Sequence, residues 1–434
     1  MSALATPNPS SQSGKGSSVN DSVALARDLL DEVSHDRGED GAPGLAEALL
    51  RDAVRVNATD IHLEPRGDGA AVRFRIDGAV LDAAVLPTAV MERLENQLKV
   101  ATGLNPMPAS QPQSAHCTTV VNGEEIDIRL SALSAFGGER LTVRMLRSGR
   151  LKPHESNQMP DRQDIDRFLE RLRQREGMLL VTGPTGSGKT TTVYGLIHEL
   201  SKDACSVITV EDPPELKLDT VTQFAVDKEH GLSFAAGIRA GLRMDPDYML
   251  IGELRDRESG RAALDAATTG CSILATLHAR DAAGVLTSLR KWDADNYEIS
   301  TLISAVVAQR LVRRLCSFCR SQAVLTDEER SWFELTQLES PQKIARATGC
   351  PMCHGTGYSG RTAVFEVWIP QESDRRLLME NADERELRRH LANRGHRFLL
   401  TDAMARVSAE ETDISEVRAM GGVGASLDAM RAVS

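Results

Sequence analysis

The chain has 434 residues, of which 41% are hydrophobic and 26% are charged, and its formal net charge is -11 at pH 7. These values are ordinary for a soluble protein, and no stretch approaches the roughly 20 consecutive apolar residues that a membrane span requires. The negative charge disfavours broad nucleic-acid binding, because proteins that track phosphates usually carry net positive charge.

The N-terminal region lacks the apolar segment of a secretory signal. Residues 1–20 are Ser-rich, and we expect disorder there. A short helix is expected at about 21–34, before the breaking sequence "SHDRGEDGAPG", so residues 1–44 are predicted to be a mostly disordered tail. Four of the seven Cys form two CxxC pairs, which suits a reducing compartment better than a disulfide framework. We therefore expect a cytoplasmic protein.

A small α+β domain is predicted over residues 45–148. Apolar residues recur at helical spacing from Leu45, and the segments "AAVRFRID", "EIDIRLS" and "RLTVRML" then alternate apolar and polar residues. This alternation indicates half-buried antiparallel strands whose polar faces carry arginine. Residues 149–160 are polar, contain two Pro and show no periodicity, so they are predicted to be a linker.

The pattern changes in residues 161–434, where a larger α/β domain is predicted. The apolar runs "MLLVT", "CSVITV", "YMLIG" and "CSILATL" alternate with helical stretches. Continuous apolar strands between helices indicate a parallel sheet that is covered on both faces. Residues 370–420 are predicted to form charged helices without further strands.

The sequence "GPTGSGKT" at 183–190 follows the first of these apolar runs and opens a helix. It fits the pattern G-x-x-x-x-G-K-[ST], in which glycines let backbone N–H groups converge on phosphate oxygens and the helix N-terminus attracts the same anion. We expect Lys189 to reach the β/γ-phosphates of ATP and the Thr190 hydroxyl to ligate Mg²⁺. The predicted nucleotide-binding residues here are Gly183, Pro184, Thr185, Gly186, Ser187, Gly188, Lys189, Thr190 and Thr191.

Polar residues that end three other predicted strands complete a candidate catalytic site. The predicted strand in "VITVEDPPE" ends at Glu211 and Asp212. "YMLIGELRD" contains Glu253 just after its apolar run, and "ATLH" ends in His278. Open α/β sheets place ligands at the carboxyl ends of their strands, and hydrolysis requires acids that hold metal and water near the γ-phosphate. The predicted catalytic residues are Lys189, Glu211, Glu253 and His278, the last as a sensor of the γ-phosphate.

Two cysteine pairs predict a zinc site. "CSFC" supplies Cys316 and Cys319, and "CPMC" supplies Cys350 and Cys353 after 30 intervening residues. Two such turns can complete a tetrahedral, structural Zn²⁺ site, whereas a redox CxxC protein needs only one pair. The predicted module spans residues 316–360. Cys117, Cys205 and Cys271 show no pairing pattern, and we expect each to be a small buried apolar residue.

Several motifs in order resemble the ATPases of type II secretion and type IV pilus assembly. They are "ATDIHLEP", "RFRIDG", "GPTGSGKTTT", "VEDPPE", "AGLRMDPDYMLIGELRD" and "TGCSILATLH". The resemblance implies a RecA-like ATPase domain, an N-domain that is PAS-like in the family, a homohexamer, and docking on an inner-membrane platform protein. The tetracysteine module further resembles the assembly class rather than the retraction class.

The resemblance also implies roles for individual residues. Glu211, in the "VEDPPE" box with Asp212 and Glu215, would lie near the attacking water. Arg239 and Arg243 match arginines that contact nucleotide within the hexamer, and Arg75 matches an N-domain arginine that closes over nucleotide. Two stretches depart from the family pattern: Cys271 stands where a His is usual, and "PMPASQPQSAHCTT" replaces an "RLPQDGR"-like segment.

The arginine face of the small domain has two interpretations. It is either a solvated surface balanced by acids or, in part, a surface that meets nucleotide phosphate, since a guanidinium pairs bidentately with phosphate oxygens. Closure of this domain over ATP and its release after hydrolysis would turn chemistry into movement. The residues concerned are Arg73, Arg75, Arg129, Arg140 and Arg144.

Three functions are compatible with these observations. The first is a hexameric ATPase that drives assembly of pilin or pseudopilin filaments at the inner membrane, without nucleic acid as a partner. The second is a RecA-like motor for DNA uptake or conjugation, which the acidic charge disfavours. The third is a degenerate relative that binds ATP with weak turnover, which Cys271 and the altered N-domain stretch would explain.

Overall fold

The computed structural model describes residues 25–35, 44–67, 69–107, 111–147, 159–174, 177–202, 205–227, 229–421 and 423–432. The chain divides into two compact units, one ending at Arg147 and the other beginning at Ser148. Most of the predicted N-terminal tail and of the predicted linker lies outside the described residues.

The first unit is built on a six-stranded antiparallel sheet, as the alternating segments predict. Its strand order is β3-β2-β1-β6-β5-β4. In β2 the apolar Val72, Phe74 and Ile76 are buried while Arg73 and Arg75 are half-buried. The strands are β1 (Ala58–Arg66), β2 (Gly69–Ile76), β3 (Ala79–Pro87), β4 (Gln113–Val121), β5 (Glu124–Ala135) and β6 (Gly138–Arg147).

Among the described residues of this unit, three helices complete the apolar core, and they are α1 (Arg27–His35), α2 (Leu45–Arg55) and α3 (Thr88–Ala101). The Asp52 side chain is fully buried and accepts a hydrogen bond of 2.9 Å from the backbone N–H of Leu29. Because this bond satisfies an N–H near the start of α1, it fixes α1 against α2.

Acids balance most of the predicted arginine face. Glu64 lies 2.9 Å from Arg140 and 3.4 Å from Arg73, and Asp60 lies 3.1 Å from Arg144 and 3.6 Å from Arg75. The register explains this, since Asp60 on β1 lies opposite Arg75 on β2 and Arg144 on β6. These contacts match the interpretation of a surface balanced by acids.

The first unit also contains a buried ion pair between Lys99 on α3 and Glu139 on β6. Glu95 lies one helical turn before Lys99. Burial, together with the nearby carboxylate of Glu139, raises the pKa of Glu95 from 4.5 to about 7. The folded protein therefore holds the Glu95 proton more tightly than the unfolded chain does.

Glu95→Gln is expected to remove a loss of stability that the parent protein suffers as pH rises. Because the folded-state pKa of Glu95 lies above its unfolded value, the stabilisation that protonated Glu95 contributes is fully present below pH 4.5. It is lost as the pH rises from about 4.5 to 7. Relative to the variant, the parent should lose about 1–2 kcal/mol of unfolding free energy between pH 5 and pH 8 after allowance for solvent screening. Urea denaturation at both pH values measures this loss of unfolding free energy. Glu125→Gln, at an exposed position of the same unit, is the control, and equal pH dependence in all three proteins would refute the expectation.

The second unit is organised around a seven-stranded sheet in the order β15-β12-β7-β11-β10-β8-β9. The predicted apolar runs form its centre, and every residue of β7, β8, β10 and β11 is buried. Such burial is expected when helices cover both faces of a parallel sheet. The strands are β7 (Met178–Thr182), β8 (Val207–Glu211), β9 (Thr222–Ala225), β10 (Tyr248–Ile251), β11 (Ser272–Leu277), β12 (Ile303–Leu315) and β15 (Tyr358–Trp368).

The sheet differs from the prediction at one side. β12 pairs parallel to β7 but β15 pairs antiparallel to β12, so the sheet is mixed rather than wholly parallel. The apolar pattern does not predict β12, because the buried polar residues Gln309 and Arg310 interrupt its apolar run. The Arg310 guanidinium finds backbone carbonyl acceptors, including Gln309 O at 2.8 Å and Gly421 O at 3.2 Å.

Helices flank this sheet on the described chain. Before β7 comes α4 (Arg162–Arg173), and between the strands lie α5 to α9, which are Lys189–Leu200, Phe234–Gly241, Arg257–Ala267, Val285–Lys291 and Asn296–Leu302. After β12 come β13 (Ser321–Val324), α10 (Asp327–Leu335) and β14 (Lys343–Arg346). After β15 the described residues form helices only, as predicted, and these are α11 to α15: Glu372–Met379, Glu384–Asn393, Leu399–Ser408, Ile414–Ala419 and Val423–Arg431.

Within the described ranges, no helix has both the length and the apolar character needed to cross a membrane.

Of the three isolated cysteines, Cys271 is buried as predicted, but Cys117 and Cys205 are only half-buried. The prediction was wrong for these two because Cys117 lies on β4 at the edge of its sheet, and Cys205 precedes β8 in a loop.

Candidate functional site

The predicted phosphate loop lies between β7 and α5 (Lys189–Leu200), where the sequence requires a tight strand-to-helix turn. Gly188 caps the helix with φ 87°, in the left-handed region that favours glycine. A Cβ at Gly183 would lie 2.4 Å from the backbone oxygen of Gln309 and 2.5 Å from Ser187 Oγ. The loop therefore packs too closely for a side chain at Gly183.

Lys189 folds back over this loop. Its Nζ donates to the backbone oxygens of Gly183 at 2.9 Å and Pro184 at 3.1 Å. Burial lowers the pKa of Lys189, while the negative charges of Glu253 and Glu215 act in the opposite direction. An ammonium group held between backbone carbonyls and acids is an electrostatic partner for phosphate oxygens.

The other predicted nucleotide-binding residues form the surface of the same loop. Pro184, Thr185 and Gly186 are exposed, and Thr190 is half-buried. Ser187 is 3% exposed, and its Oγ has no hydrogen-bond partner within the described structure. A buried hydroxyl without a partner costs stability, and a bound phosphate is a group that could satisfy it. The residues of the loop therefore fit a nucleoside triphosphate.

Glu253 and His278 meet at the phosphate loop. The Glu253 carboxylate contacts His278 Nε2 and accepts a hydrogen bond of 2.6 Å from Arg255 Nε. His278 Nδ1 lies 2.9 Å from the backbone oxygen of Gly183. Both ring nitrogens of His278 thus face oxygen atoms. The structure brings three of the predicted catalytic side chains, Lys189, Glu253 and His278, to one loop.

Glu211 occupies a different environment. It is 4% exposed, and its carboxylate accepts from the Tyr194 hydroxyl, from Thr209 Oγ1 at 2.6 Å and from Gln223 Nε2 at 3.2 Å. Both carboxylate oxygens are therefore engaged by protein donors. Its predicted position near an attacking water stays a prediction.

The predicted arginines lie outside this cluster of contacts. Arg239 forms an exposed ion pair with Glu258 at 3.1 Å, and Arg243 is exposed on a short 3-10 turn after α6 (Phe234–Gly241). Arg75 belongs to the first unit, where its Nη1 donates to the backbone oxygen of Gly78 at 2.9 Å. Their nucleotide contacts remain predictions.

Cys271 stands just before β11, in the position where the family pattern has a histidine. It is 3% exposed, and burial, with a smaller effect of the Asp247 charge, raises the pKa of its thiol to about 12. A thiol in this state is neutral at physiological pH and packs as a small apolar residue.

The four paired cysteines come together as the sequence predicts. Cys316 directly follows β12, and Cys350 begins the 3-10 turn Pro351–Cys353. All four sulfurs lie within 4.8 Å of one another, with separations of 3.9 Å (Cys316 to Cys350), 3.8 Å (Cys319 to Cys353) and 3.7 Å (Cys350 to Cys353).

These separations suit a tetrahedral metal site. A tetrahedron with metal–sulfur bonds of about 2.3 Å has sulfur–sulfur edges of about 3.8 Å. Backbone N–H groups of Gly349, Cys350 and Gly357 also point at the sulfurs of Cys319 and Cys353, at 3.2–3.3 Å. Such donors stabilise thiolates, so the residues fit Zn²⁺.

The sequence patterns miss the residues that surround Glu211. Tyr194 and Gln223 belong to no recognised motif, and Thr209 lies inside an apolar strand. A usable signal exists only for Thr209, since a polar residue two positions before a strand-end acid faces the same side of the strand.

Comparison with known proteins identifies relatives of the whole described architecture. A family model described as "Type II/IV secretion system protein" matches residues 38–419. The type II secretion system protein HxcR of Pseudomonas aeruginosa is 36% identical over 402 residues, covering 92% of this chain and 80% of that protein. The type II secretion system ATPase E of Vibrio cholerae is 34% identical over 380 residues, with 87% and 75% coverage.

Among solved structures, the Legionella pneumophila ATPase DotB superposes with a TM-score of 0.61 at 22% identity. The match covers 87% of this chain and 95% of that chain. At this identity the likeness concerns the fold alone.

Proposed function

Because the chain belongs to the type II/IV secretion system protein family, we propose that it hydrolyses ATP to drive assembly of a pseudopilin filament in a type II secretion system. The observation that carries the proposal is the convergence of Lys189, Glu253 and His278 on the phosphate loop. A triphosphate bound there would meet backbone N–H groups, the half-buried Lys189 ammonium and an imidazole at once.

Each side chain contributes one part of the chemistry. Lys189 neutralises charge on the β/γ-phosphates. The Thr190 hydroxyl and nearby acids would hold Mg²⁺, which would supply further positive charge for the phosphates. Glu253 orients and deprotonates water, and His278 links the Glu253 carboxylate to the backbone of Gly183. Arg239, Arg243 and Arg75 are proposed to contact nucleotide only in an assembled ring, since each is exposed or surface-paired in this chain.

Type II secretion is favoured over a type IV pilus because two type II relatives align over most of their length. The proposed state is a homohexamer that docks from the cytoplasm on an inner-membrane platform protein. Co-purification with the platform protein and pseudopilins encoded beside this gene supports type II secretion. Recovery with pilin-type partners would instead assign the chain to a pilus.

Zn²⁺ is the proposed occupant of the tetracysteine cluster. Four thiolates fill a tetrahedral coordination sphere, so the metal would be structural and leave no position for substrate. The cluster joins the end of β12 to the start of the turn before β15, and would hold together a module with a small core of its own.

The test is the Mg²⁺-dependent ATPase rate of the purified chain, compared with Lys189→Ala. A rate well above that of the variant supports the proposal. Equal rates would contradict it and favour a protein that binds ATP without turnover. Stimulation of the rate by single- or double-stranded DNA would contradict the filament-assembly role and support a nucleic-acid motor.

A further inference from the structure

The buried environment of Glu211 forms a connected polar cluster. We define the Glu211 cluster as Tyr194, Thr209, Glu211 and Gln223. Tyr194 and Thr209 are fully buried, and every hydrogen bond within the cluster ends on the Glu211 carboxylate. Because burying a charge is expensive unless its hydrogen bonds are made, this arrangement resists rearrangement of any one member.

The same side chains also hold the loop that follows Glu211. We call residues 212–218 the acidic loop. The Tyr194 hydroxyl accepts a hydrogen bond of 3.2 Å from the backbone N–H of Glu215. Gln223 donates to Leu216 O at 2.9 Å and accepts from the N–H of Leu218 at 2.7 Å. Three backbone groups of a seven-residue loop are thus tied to the Glu211 cluster.

Tyr194 connects this loop to the phosphate loop. It lies on α5, the helix that begins at Lys189, so its ring and the Lys189 ammonium belong to one rigid element. The acidic loop carries Glu215, whose charge favours the protonated form of Lys189. Tyr194 therefore joins the acidic loop to the helix that begins at Lys189.

We propose that Tyr194 is a positioning residue for ATP hydrolysis, whose hydroxyl ties the acidic loop, at the backbone N–H of Glu215, to the phosphate-loop helix. This rests on the proposed function for its effect on turnover, but not for its effect on the loop. The hydroxyl does this by accepting from the Glu215 N–H while donating to the Glu211 carboxylate. Thr209 and Gln223 keep that carboxylate in place.

A role for Tyr194 in core packing alone predicts a different effect of its replacement by phenylalanine. If the ring serves only to fill space between α5 and the sheet, its hydroxyl is dispensable and phenylalanine replaces it. If the hydroxyl positions the acidic loop, phenylalanine preserves packing yet frees the Glu215 N–H and leaves one carboxylate oxygen without its donor.

The experiment compares the parent chain with Tyr194→Phe and with Tyr358→Phe as the matched control. The Tyr358 hydroxyl pairs with Ser415 Oγ at 3.0 Å, on β15 and away from both loops. Amide hydrogen exchange is measured for residues 212–219, together with steady-state ATPase kinetics and Mg-ADP affinity.

Tyr194→Phe is expected to speed exchange in residues 212–219 by about tenfold or more and to lower kcat about tenfold, because small misplacements of charged groups cost large factors in rate. KM and Mg-ADP affinity should stay within about twofold, since the phosphate loop itself is untouched. Tyr358→Phe should change none of these quantities.

Two results would overturn the proposal: unchanged exchange in the acidic loop, or faster exchange there with a kcat within about twofold of the parent. Should Tyr194→Phe fold poorly, Gln223→Met loosens the same loop from its other end and must shift exchange in the same direction. A parent protein without turnover would contradict the ATPase assignment, whereas loop exchange would still decide the role of Tyr194.

Discussion

Glu253→Gln is expected to lower the maximal rate of ATP hydrolysis about 10²–10³-fold while changing Mg-ADP affinity only a few-fold. The carboxylate contacts His278 and Arg255 at the phosphate loop, and its charge acts on Lys189. An amide keeps the size of the side chain but can neither accept a proton from water nor supply the negative charge that faces Lys189 and Arg255. The measurement is single-turnover hydrolysis with a separate titration of Mg-ADP.

Glu211→Gln is the matched control on the neighbouring strand, since β8 pairs directly with β10. The Glu211 carboxylate accepts three hydrogen bonds in a buried site, so the amide must turn donors toward donors. Loss of thermal stability is therefore expected for Glu211→Gln and not for Glu253→Gln. A Glu253→Gln protein that hydrolyses ATP within about threefold of the parent would refute the role assigned to Glu253.

Cys350→Ser is expected to abolish stoichiometric zinc binding and to destabilise the tetracysteine module by at least about 3 kcal/mol, because the binding energy of a structural metal is folding energy. The sulfurs of Cys350 and Cys353 are 3.7 Å apart, as a shared metal ion requires. Metal content and thermal unfolding, before and after treatment with a strong chelator, provide the measurement.

Cys117→Ser is the control for this substitution, since Cys117 lies outside the cluster in the first unit. It should retain one zinc ion per chain and the same response to chelator. A parent protein that contains no metal after purification with zinc, or that unfolds identically with and without chelator, would show that the four thiols pack without an ion.

The fold class and the family were predicted from the sequence and are confirmed. Period-two segments in the first unit and continuous apolar runs in the second carry enough information because burial on one face or on both faces leaves different patterns. β12 was not predicted, because buried polar residues interrupt its apolar run. Gln309 and Arg310 are buried polar residues whose partners lie far away in sequence, such as Thr192 and Gly421.

The candidate site was predictable in its composition but less so in its geometry. Strand ends bring Glu253 and His278 to the phosphate loop because parallel strands share a carboxyl edge. The direction of the Glu211 side chain is set by Tyr194 and Gln223, which are distant contacts that no local pattern encodes. The spacing of the paired cysteines, in contrast, nearly determines the geometry of the metal site, because four ligands around one ion have little freedom in their positions.

One long strand joins the two centres of the second unit. The backbone oxygen of Gln309, on β12, lies against Gly183 so closely that no side chain fits between them. Seven residues later the same strand delivers Cys316, a distance of about 23 Å for extended chain. From Gln309 to Leu315 the strand stays paired with β15, and an extended, paired segment keeps its length. The length of β12 therefore sets the spacing between the phosphate loop and Cys316.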